Sequence, residues 1–373
     1  MRIKRPIVLS TAFVVTVAAL LGTTAVARAD IMVAIAGPMT GPDAALGEQV
    51  KRGGLKAIED INAKGGLLGQ KLQGVVGDDV CDPKQAVSVA NDMVSKKVAV
   101  VIGHVCSSSS IPASAIYADA NIVEISPAST NPKFTDRGLT NVFRVCGRDD
   151  SQGPAAADYI AANMKDKKVA VIDDKQTYGQ GLAQAFKAAI EAKGIKPVVY
   201  DEINAGEKDY SALVTKLKSL GTQIVYYGGY YAEAGLIARQ AKEQGLAATI
   251  VGGDGLNDPE FWAIAGTAGE GTLMTFGPDP KLDPANADLV KYFESQNYAP
   301  EAYTLYSYAA IQAWAAAVTK AGSVDAAKVE GALRSGQYQT ALGTLGFNAK
   351  GDLTNPGFVM YVWKNGKPVY ANK

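Results

Sequence analysis

The segment Gly103-His104-Val105-Cys106-Ser107-Ser108-Ser109-Ser110 contains more hydroxyl groups than an ordinary helix start requires. It follows the apolar stretch Val98–Ile102, which is typical of a strand buried on both faces, and it precedes a helical pattern. Open α/β sheets bind ligands at the carboxyl ends of their strands, and free N–H groups at a helix start favour anions. The segment therefore predicts a site for an anionic group such as a carboxylate, with an unusually polar helix cap as the alternative.

A second polar segment, Ile125-Ser126-Pro127-Ala128-Ser129-Thr130, follows the next predicted strand. It offers hydroxyl and backbone polar groups at a strand end, which is a position where α/β sheets bind ligands. Taken alone, such a segment is more often a polar turn, because serine and proline are common turn residues. Both interpretations stay open on these residues alone.

Residues that could support catalysis are few and do not form a complete set. His104 is the single histidine of the chain, which excludes zinc sites built on paired histidines. Cys106 could act as a nucleophile beside it, but no third residue is evident that would orient the pair. Tyr178-Gly179-Gln180-Gly181 lacks the third glycine of a dinucleotide-binding loop, because Gln184 stands there. The sequence therefore predicts a protein that is not an enzyme and binds no metal or cofactor, with an exported hydrolase using Cys106 as the alternative.

The first thirty residues have the three-part layout of a secretory signal. The basic start Arg2–Arg5 precedes an apolar stretch, Ile7–Leu21, and Ala27-Arg28-Ala29 places small residues where a signal peptidase recognises its substrate. The apolar stretch is shorter than the roughly 20 residues of a membrane-spanning helix. Residues 1–29 are therefore predicted to be a signal peptide cleaved before Asp30, and no membrane anchor is expected.

The charge balance argues against nucleic acid as a partner. The full chain has 37 basic and 37 acidic residues. Residues 1–29 contain four basic and no acidic residues, so the exported chain would carry 33 basic and 37 acidic residues. A mildly acidic chain lacks the basic surface that phosphate backbones require. Export also permits a disulfide among Cys81, Cys106 and Cys146, but their spacing does not identify the unpaired cysteine.

Short apolar stretches alternate with amphipathic helical patterns along most of the chain, which predicts an α/β fold with parallel sheets. The alternation runs from Ile31 to Ile125 and restarts at Lys168, so two units with separate sheets are expected. Regular patterns break near residues 146–150, 276–280 and 355–357. A chain that crossed between the units at all three breaks would make each unit discontinuous. Beyond the second break the sequence predicts three helices and a final strand, namely Pro284–Ser295, Ala302–Ala321, Ala326–Arg334 and Phe358–Trp363.

Several longer motifs resemble those of one family. They are Asp78-Asp79-Val80-Cys81-Asp82-Pro83-Lys84-Gln85-Ala86, Val101-Ile102-Gly103-His104-Val105-Cys106-Ser107-Ser108-Ser109, Asp174-Lys175-Gln176-Thr177-Tyr178-Gly179-Gln180-Gly181, Ala205-Gly206-Glu207-Lys208-Asp209 and Tyr226-Tyr227-Gly228-Gly229-Tyr230. Together they closely resemble the periplasmic leucine/isoleucine/valine-binding proteins. The resemblance extends from the predicted signal sequence to the C-terminus, and it is far more specific than any single short motif.

This resemblance implies a type I periplasmic binding protein fold, in which two Rossmann-like lobes joined by three hinge crossovers close around one amino acid. The expected lobes are residues 30–149 with 277–355, and residues 150–276 with 356–373. A monomeric periplasmic protein is expected, which delivers its ligand to the membrane permease of an ABC importer. The family's disulfide matches Cys81 and Cys106, which leaves Cys146 as a buried, unpaired residue.

The resemblance also implies a set of ligand-binding residues. The carboxylate of the ligand would meet the Ser107 hydroxyl and the Thr130 N–H, and its ammonium would meet the Ala128 carbonyl, the Thr130 hydroxyl and Asp254. Further candidates complete or cover the pocket, namely Tyr178, Tyr230, Ser129, Tyr303 and the Cys106 side of the pocket.

Two positions depart from the family pattern. The branched-chain proteins usually have an aromatic residue where Leu46 stands and a glutamate where Asp254 stands. Leu46 widens the side-chain pocket, and the shorter Asp254 side chain requires the ammonium or the lobes to shift. The expected ligands are therefore leucine, isoleucine and valine first, with a broader range that includes alanine, proline or γ-aminobutyrate second. A sensor that presents the amino acid to a receptor is the alternative to a transport component.

Overall fold

The computed structural model describes Met1, Ile3 and residues 29–371. The predicted secretory signal lies almost entirely outside the described residues, so it stays a prediction. Within residues 29–371, no helix combines the length and the apolar character needed to cross a membrane.

The first sheet has five parallel strands, and we call it, with the helices packed on it, the first lobe. Its strands are β1 (Ile31–Gly37), β2 (Leu72–Asp78), β3 (Val100–Ile102), β4 (Val123–Ser126) and β5 (Val142–Arg144), in the spatial order β2-β1-β3-β4-β5. The helices within this part of the chain are α1 (Ala44–Ala63), α2 (Pro83–Ser95), α3 (Ser107–Asp119) and the short α4 (Lys133–Asp136).

The second sheet has seven strands, and with its helices it forms the second lobe. Five strands are parallel: β6 (Val169–Asp173), β7 (Val199–Glu202), β8 (Ile224–Gly228), β9 (Thr249–Gly252) and β10 (Leu273–Phe276). The helices of this lobe are α5 (Asp149–Asn163), α6 (Thr177–Ala192), α7 (Ser211–Ser219), α8 (Tyr231–Glu243) and α9 (Pro259–Ala265). The 3₁₀ turns Asp254–Leu256 and Gly266–Gly269 follow β9 and α9.

The remaining elements connect the two sheets. After the 3₁₀ turns Pro280–Leu282 and Pro284–Asn286 come α10 (Ala287–Ser295), α11 (Ala302–Ala321), α12 (Ala326–Ser335) and a hairpin of β11 (Gln337–Thr340) and β12 (Gly343–Gly346). Helix α11 packs against α1 of the first lobe. Strands β13 (Val359–Lys364) and β14 (Lys367–Tyr370) then extend the second sheet, because β13 pairs antiparallel with β10 and β14 with β13.

The chain thus passes between the lobes three times: between β5 and α5, after β10, and before β13. The predicted α/β class with two Rossmann-like lobes and three crossovers is confirmed. The residue boundaries of the lobes stay a prediction. Glycines stand at two of the crossovers, where a Cβ on Gly147 would overlap the Phe358 ring and one on Gly277 would overlap the Tyr306 hydroxyl.

The apolar pattern of the sequence explains how each lobe is built. Every residue of β3 is fully buried, because helices cover both faces of the first sheet. Helix α1 buries Leu46, Val50 and Ala57, a spacing that keeps apolar residues on one helix face. Its Gly53 allows close contact with α11, since a Cβ there would overlap the backbone of Thr304. This contact brings the start of α11 to the cleft between the lobes.

Several elements were not predicted from the sequence. Helix α5 begins within the break at residues 146–150 and contains Gly153 and Pro154, which are poor helix formers. Strand β5 has only three residues, and β10 stands immediately before the second break. The hairpin of β11 and β12 and strand β14 were also missed, because these short, partly exposed strands lack a strong apolar pattern.

Candidate functional site

A small cavity lies between the two lobes, and the space in it that a water-sized sphere can occupy is about 10 Å³. The first lobe contributes residues from α1, from the segments after β3 and β4, and from the start of α11. The second lobe contributes residues near the starts of α6 and α8 and after β9. The lining consists of Leu46, Val105, Ser107, Ala128, Tyr178, Tyr230, Asp254, Gly255 and Tyr303.

Asp254 is the charged group of this cavity, and it is 4% exposed. One carboxylate oxygen accepts hydrogen bonds from the Tyr178 hydroxyl and the Gln152 amide, both at 2.8 Å. The other oxygen accepts from the Tyr303 hydroxyl. Burial raises the pKa of Asp254, whereas these three donors lower it. Among the described residues, all its side-chain partners are neutral, so the buried carboxylate has no cationic partner.

The backbone around Asp254 explains why the carboxylate faces the cavity. The residue follows β9 and opens a 3₁₀ turn between two glycines. A Cβ on Gly253 would crowd Leu182 and the Tyr178 hydroxyl, and a Cβ on Gly255 would crowd the carbonyl of Gly229. The glycines therefore allow the turn to lie directly against Tyr178.

Ser107 occupies the opposite side of the cavity as the first residue of α3. Its hydroxyl accepts a hydrogen bond from the backbone N–H of Asn131 at 3.3 Å. The first N–H groups of a helix and its dipole favour negative charge at this position. Cys106 precedes Ser107 and forms a disulfide with Cys81, with a Cα–Cα distance of 5.5 Å. The helix start is therefore covalently attached to the segment that follows β2.

Additional acceptor atoms lie beside Asp254. The Thr130 hydroxyl and both carboxylate oxygens of Asp149 are buried, and apart from each other they have no hydrogen-bond partner among the described residues. Burial raises the pKa of Asp149 well above its usual value, and nearby Asp254 adds to this rise, whereas Thr130 and Arg144 oppose it. Of the two residues, only Thr130 lines the space next to Asp254, so its hydroxyl is the one that an entering donor group could reach.

The sequence from residue 30 to residue 367 matches the profile of the family described as periplasmic binding protein. The chain belongs to the periplasmic binding protein family. This family comprises substrate-binding proteins of transport systems, so the protein is not an enzyme, as predicted.

The known proteins similar to this periplasmic binding protein are matched over nearly their full length. The Leu/Ile/Val-binding protein homolog 1 of Brucella suis biovar 1 (strain 1330) is 50% identical over 353 residues, which cover 94% of this chain and 95% of that protein. An amino acid binding protein of Pseudomonas aeruginosa is 49% identical over 350 residues, which cover 93% of this chain and 94% of that protein. The crystal structure of leucine binding protein LivK from Thermotoga maritima superposes with a TM-score of 0.84 at 30% sequence identity. The superposition covers 91% of this chain and 97% of the LivK chain.

The structure places eight of the ten predicted ligand residues of this periplasmic binding protein in or next to the cavity. Ser107, Ala128, Tyr178, Tyr230, Asp254, Leu46 and Tyr303 line the cavity between the lobes. Thr130 lines the adjoining space at the hinge together with Asp254 and Tyr303. Ser129 and Cys106 lie outside both linings: the Ser129 hydroxyl donates to the Val105 carbonyl at 2.9 Å, and the Cys106 sulfur is in the disulfide.

Only the first of the four consecutive serines faces the cavity. The Ser108 hydroxyl donates to the Cys81 carbonyl at 3.0 Å, and the Ser110 hydroxyl donates to the His104 carbonyl at 3.2 Å. The alternative of a structural, polar helix start therefore describes Ser108 and Ser110. His104 is also structural, since its buried ring contacts Asp79 and the Tyr117 hydroxyl. The predicted pairing of Cys81 with Cys106 is confirmed, and it removes the thiol that the hydrolase alternative required.

The sequence interpretation missed Asp149, Gln152, Val105 and Gly255. Asp149 and Gln152 belong to α5, which was itself not predicted, so no element was available to place them. The available signal was the adjacent acidic pair Asp149-Asp150. This signal is weak, because two carboxyl groups at a helix start are common and the sequence does not show which of them is buried. Asp149 is 1% exposed, whereas Asp150 is exposed.

Proposed function

We propose that the protein is the extracytoplasmic substrate-binding component of an amino-acid ABC importer, and that it holds one small aliphatic amino acid between its lobes. The observation that carries the proposal is the Asp254 carboxylate, which is buried beside the cavity between the lobes and, in the part of the chain that the structure describes, has three neutral donors and no cationic partner. A buried charge without a counter-charge costs several kcal/mol on the order-of-magnitude scale for ion burial. A ligand ammonium would provide the missing charge.

The two sides of the cavity suit the two charges of an amino acid. Asp254, with the nearby hydroxyl of Thr130, suits an ammonium group. Ser107 and the start of α3 suit a carboxylate. Because the first lobe supplies Ser107 and the second supplies Asp254, only the closed arrangement surrounds both charges, which would couple lobe closure to ligand binding.

The remaining lining favours a small aliphatic side chain. Leu46, Val105 and Ala128 present apolar groups, and the rings of Tyr178 and Tyr230 lie 5.1 Å apart between centroids. The names of the Brucella and Thermotoga relatives specify leucine, isoleucine or valine. We therefore propose these amino acids as the first ligands. A broader range with alanine, proline and γ-aminobutyrate is the second candidate, because Leu46 stands where the branched-chain proteins usually have an aromatic residue.

The proposal includes the location and the partner. The family implies an extracytoplasmic protein, and the predicted signal before Asp30 would direct it to the periplasm. We propose that the closed monomer delivers its ligand to an importer permease, and that the lobes comprise residues 30–149 with 277–355 and residues 150–276 with 356–373. Size-exclusion chromatography with light scattering would test the monomer, and N-terminal sequencing of the exported protein would test cleavage before Asp30.

Calorimetry on protein that has been unfolded and refolded to remove co-purified ligand tests the central proposal. Leucine, isoleucine, valine, alanine, proline and γ-aminobutyrate are titrated separately, and at least one of the first three is expected to bind. Asp254→Asn should abolish most of the heat, whereas Asp209→Asn, at an exposed carboxylate, should bind as the wild type does. Absence of binding for all six compounds would overturn the proposed ligand class.

A further inference from the structure

Gln49 is a buried residue that connects the two lobes without lining the cavity. It belongs to α1 of the first lobe and is 1% exposed. Its side-chain Nε2 donates to a carboxylate oxygen of Asp258 in the second lobe at 2.7 Å. Its Oε1 accepts from the backbone N–H of Tyr303 at 2.9 Å. Both ends of one amide are therefore used, one within its own lobe and one across the cleft.

The acceptor of this contact is itself rigidly held. Asp258 is the N-cap of α9, and its second oxygen accepts from the Glu260 backbone N–H at 2.8 Å. The residue is 2% exposed in the closed structure. Hydrogen bonds to a charged acceptor are stronger than neutral ones, and low polarity around the pair increases this difference.

The Gln49 contact is also connected to the cavity. Leu46 lies three residues earlier on α1, and it lines the cavity. Tyr303, whose backbone N–H holds the Gln49 amide, directs its hydroxyl to Asp254. Gln49 therefore lies one turn of α1 from one lining residue and is bonded to a second.

Among the described residues, the Tyr303 hydroxyl also reaches across the cleft to the Asp254 carboxylate, and two other side chains donate across the cleft to neutral acceptors. The Tyr231 hydroxyl donates to the Pro42 carbonyl at 2.7 Å, and the Asn131 amide donates to the Thr177 carbonyl at 2.8 Å. The Gln49 contact differs from the last two because its acceptor is a carboxylate, and it differs from the Tyr303 contact because neither Gln49 nor Asp258 lines the cavity.

We propose that Gln49 is a positioning residue that stabilises the closed arrangement of the lobes through Asp258, without contacting the ligand. This inference rests on the proposed function, since it concerns closure around the same cavity. Opening would separate the amide from the carboxylate, so the pair adds to ligand affinity by lowering the free energy of the closed form. The Tyr303 N–H keeps the amide oriented, because both residues belong to the first lobe.

A donor–acceptor exchange tests the role directly. Gln49→Glu would place a second carboxylate against Asp258, and it should weaken ligand binding by about 30-fold at pH 8, on the scale of like-charge contacts at interfaces. Adding Asp258→Asn restores a complementary pair. The new amide can donate to the new carboxylate, keep capping α9 with its oxygen, and leave the Tyr303 N–H its acceptor. The double variant should therefore bind within about threefold of the wild type, since it has the same number of hydrogen bonds.

Calorimetric affinity is compared with the distance between spin labels on the two lobes, measured with and without ligand. Gln296→Glu, at an exposed position after α10, is the matched control and should change neither quantity. Wild-type affinity in Gln49→Glu, or a double variant no tighter than Gln49→Glu, would overturn the inference. If the wild type binds no amino acid, the proposed function fails. The inference is then judged on the ligand-free label distances, which must lengthen in Gln49→Glu and recover in the double variant.

Discussion

In the proposed site, the two sides of the cavity hold the two opposite charges of an amino acid by different physical means. On the second-lobe side, a buried charge on Asp254 is surrounded by three neutral donors. On the first-lobe side, Ser107 offers a hydroxyl and the start of a helix, and the neighbouring disulfide braces this backbone. The comparison indicates that one side depends on a single charged group, whereas the other depends on several partial charges held in place by a rigid scaffold.

Removal of the disulfide tests how much the Ser107 side depends on its scaffold. The bond joins residues 25 apart in the sequence, and Cys81→Ala with Cys106→Ala should lower the free energy of unfolding by about 3–4 kcal/mol in the chain-entropy model. Urea unfolding followed by circular dichroism measures this change. Cys146→Ala, which removes a buried cysteine outside any disulfide, controls for the loss of a thiol. Equal destabilisation in both variants would show that the crosslink itself contributes little.

Asp254→Asn tests the charged side, and the expected loss of affinity for the best amino-acid ligand is about 100-fold. The neutral amide removes the attraction to the ammonium, and its NH₂ group would face donors from Tyr178, Tyr303 or Gln152. Isothermal titration calorimetry measures the affinity, and thermal unfolding checks that the variant folds. A loss below about fivefold would show that this charge does not dominate binding.

Ser107→Ala tests the partial-charge side, and a smaller loss of about tenfold is expected because the helix N–H groups and dipole remain. Ser108→Ala is the matched control, since its hydroxyl bonds the Cys81 carbonyl outside the cavity. The same calorimetric titration applies to both variants. The proposed asymmetry between the two sides would be wrong if Ser107→Ala weakened binding more than Asp254→Asn.

The pH dependence of binding gives the smallest expected effect, a few-fold loss of affinity as the pH is lowered from neutrality. Burial raises the pKa of ligand-free Asp254 above its usual value, and an ammonium requires the ionised form. The affinity supplied by Asp254 is therefore present above this pKa and is lost as the pH falls through it. Dissociation constants measured as the pH is lowered should depend less on pH in Asp254→Asn and keep the wild-type dependence in Ser107→Ala. An unchanged pH dependence in Asp254→Asn would assign the titration to another group.

Much of the fold could be predicted because its elements have strong local patterns. Helix α11 was predicted with its observed limits, Ala302–Ala321, since it has a long helical pattern. Helix α5 was missed because its start coincides with a chain crossover and its glycine and proline oppose helix formation. The buried acid Asp149 was missed with it, because an isolated acidic pair does not reveal which member is buried.

The sequence by itself determined the α/β class, the two units, the serine-rich helix start and, through family resemblance, the disulfide and Asp254. Tertiary structure alone decided which side chains surround that carboxylate. Its donors Tyr303, Tyr178 and Gln152 lie 49, 76 and 102 residues away in the chain. The periodicity of apolar residues indicates which face of a helix or strand is buried. It does not indicate which distant donors meet, because these donors come together only where the two lobes, joined by three crossovers, face the same cavity. The same closure unites Gln49 with Asp258, which are 209 residues apart.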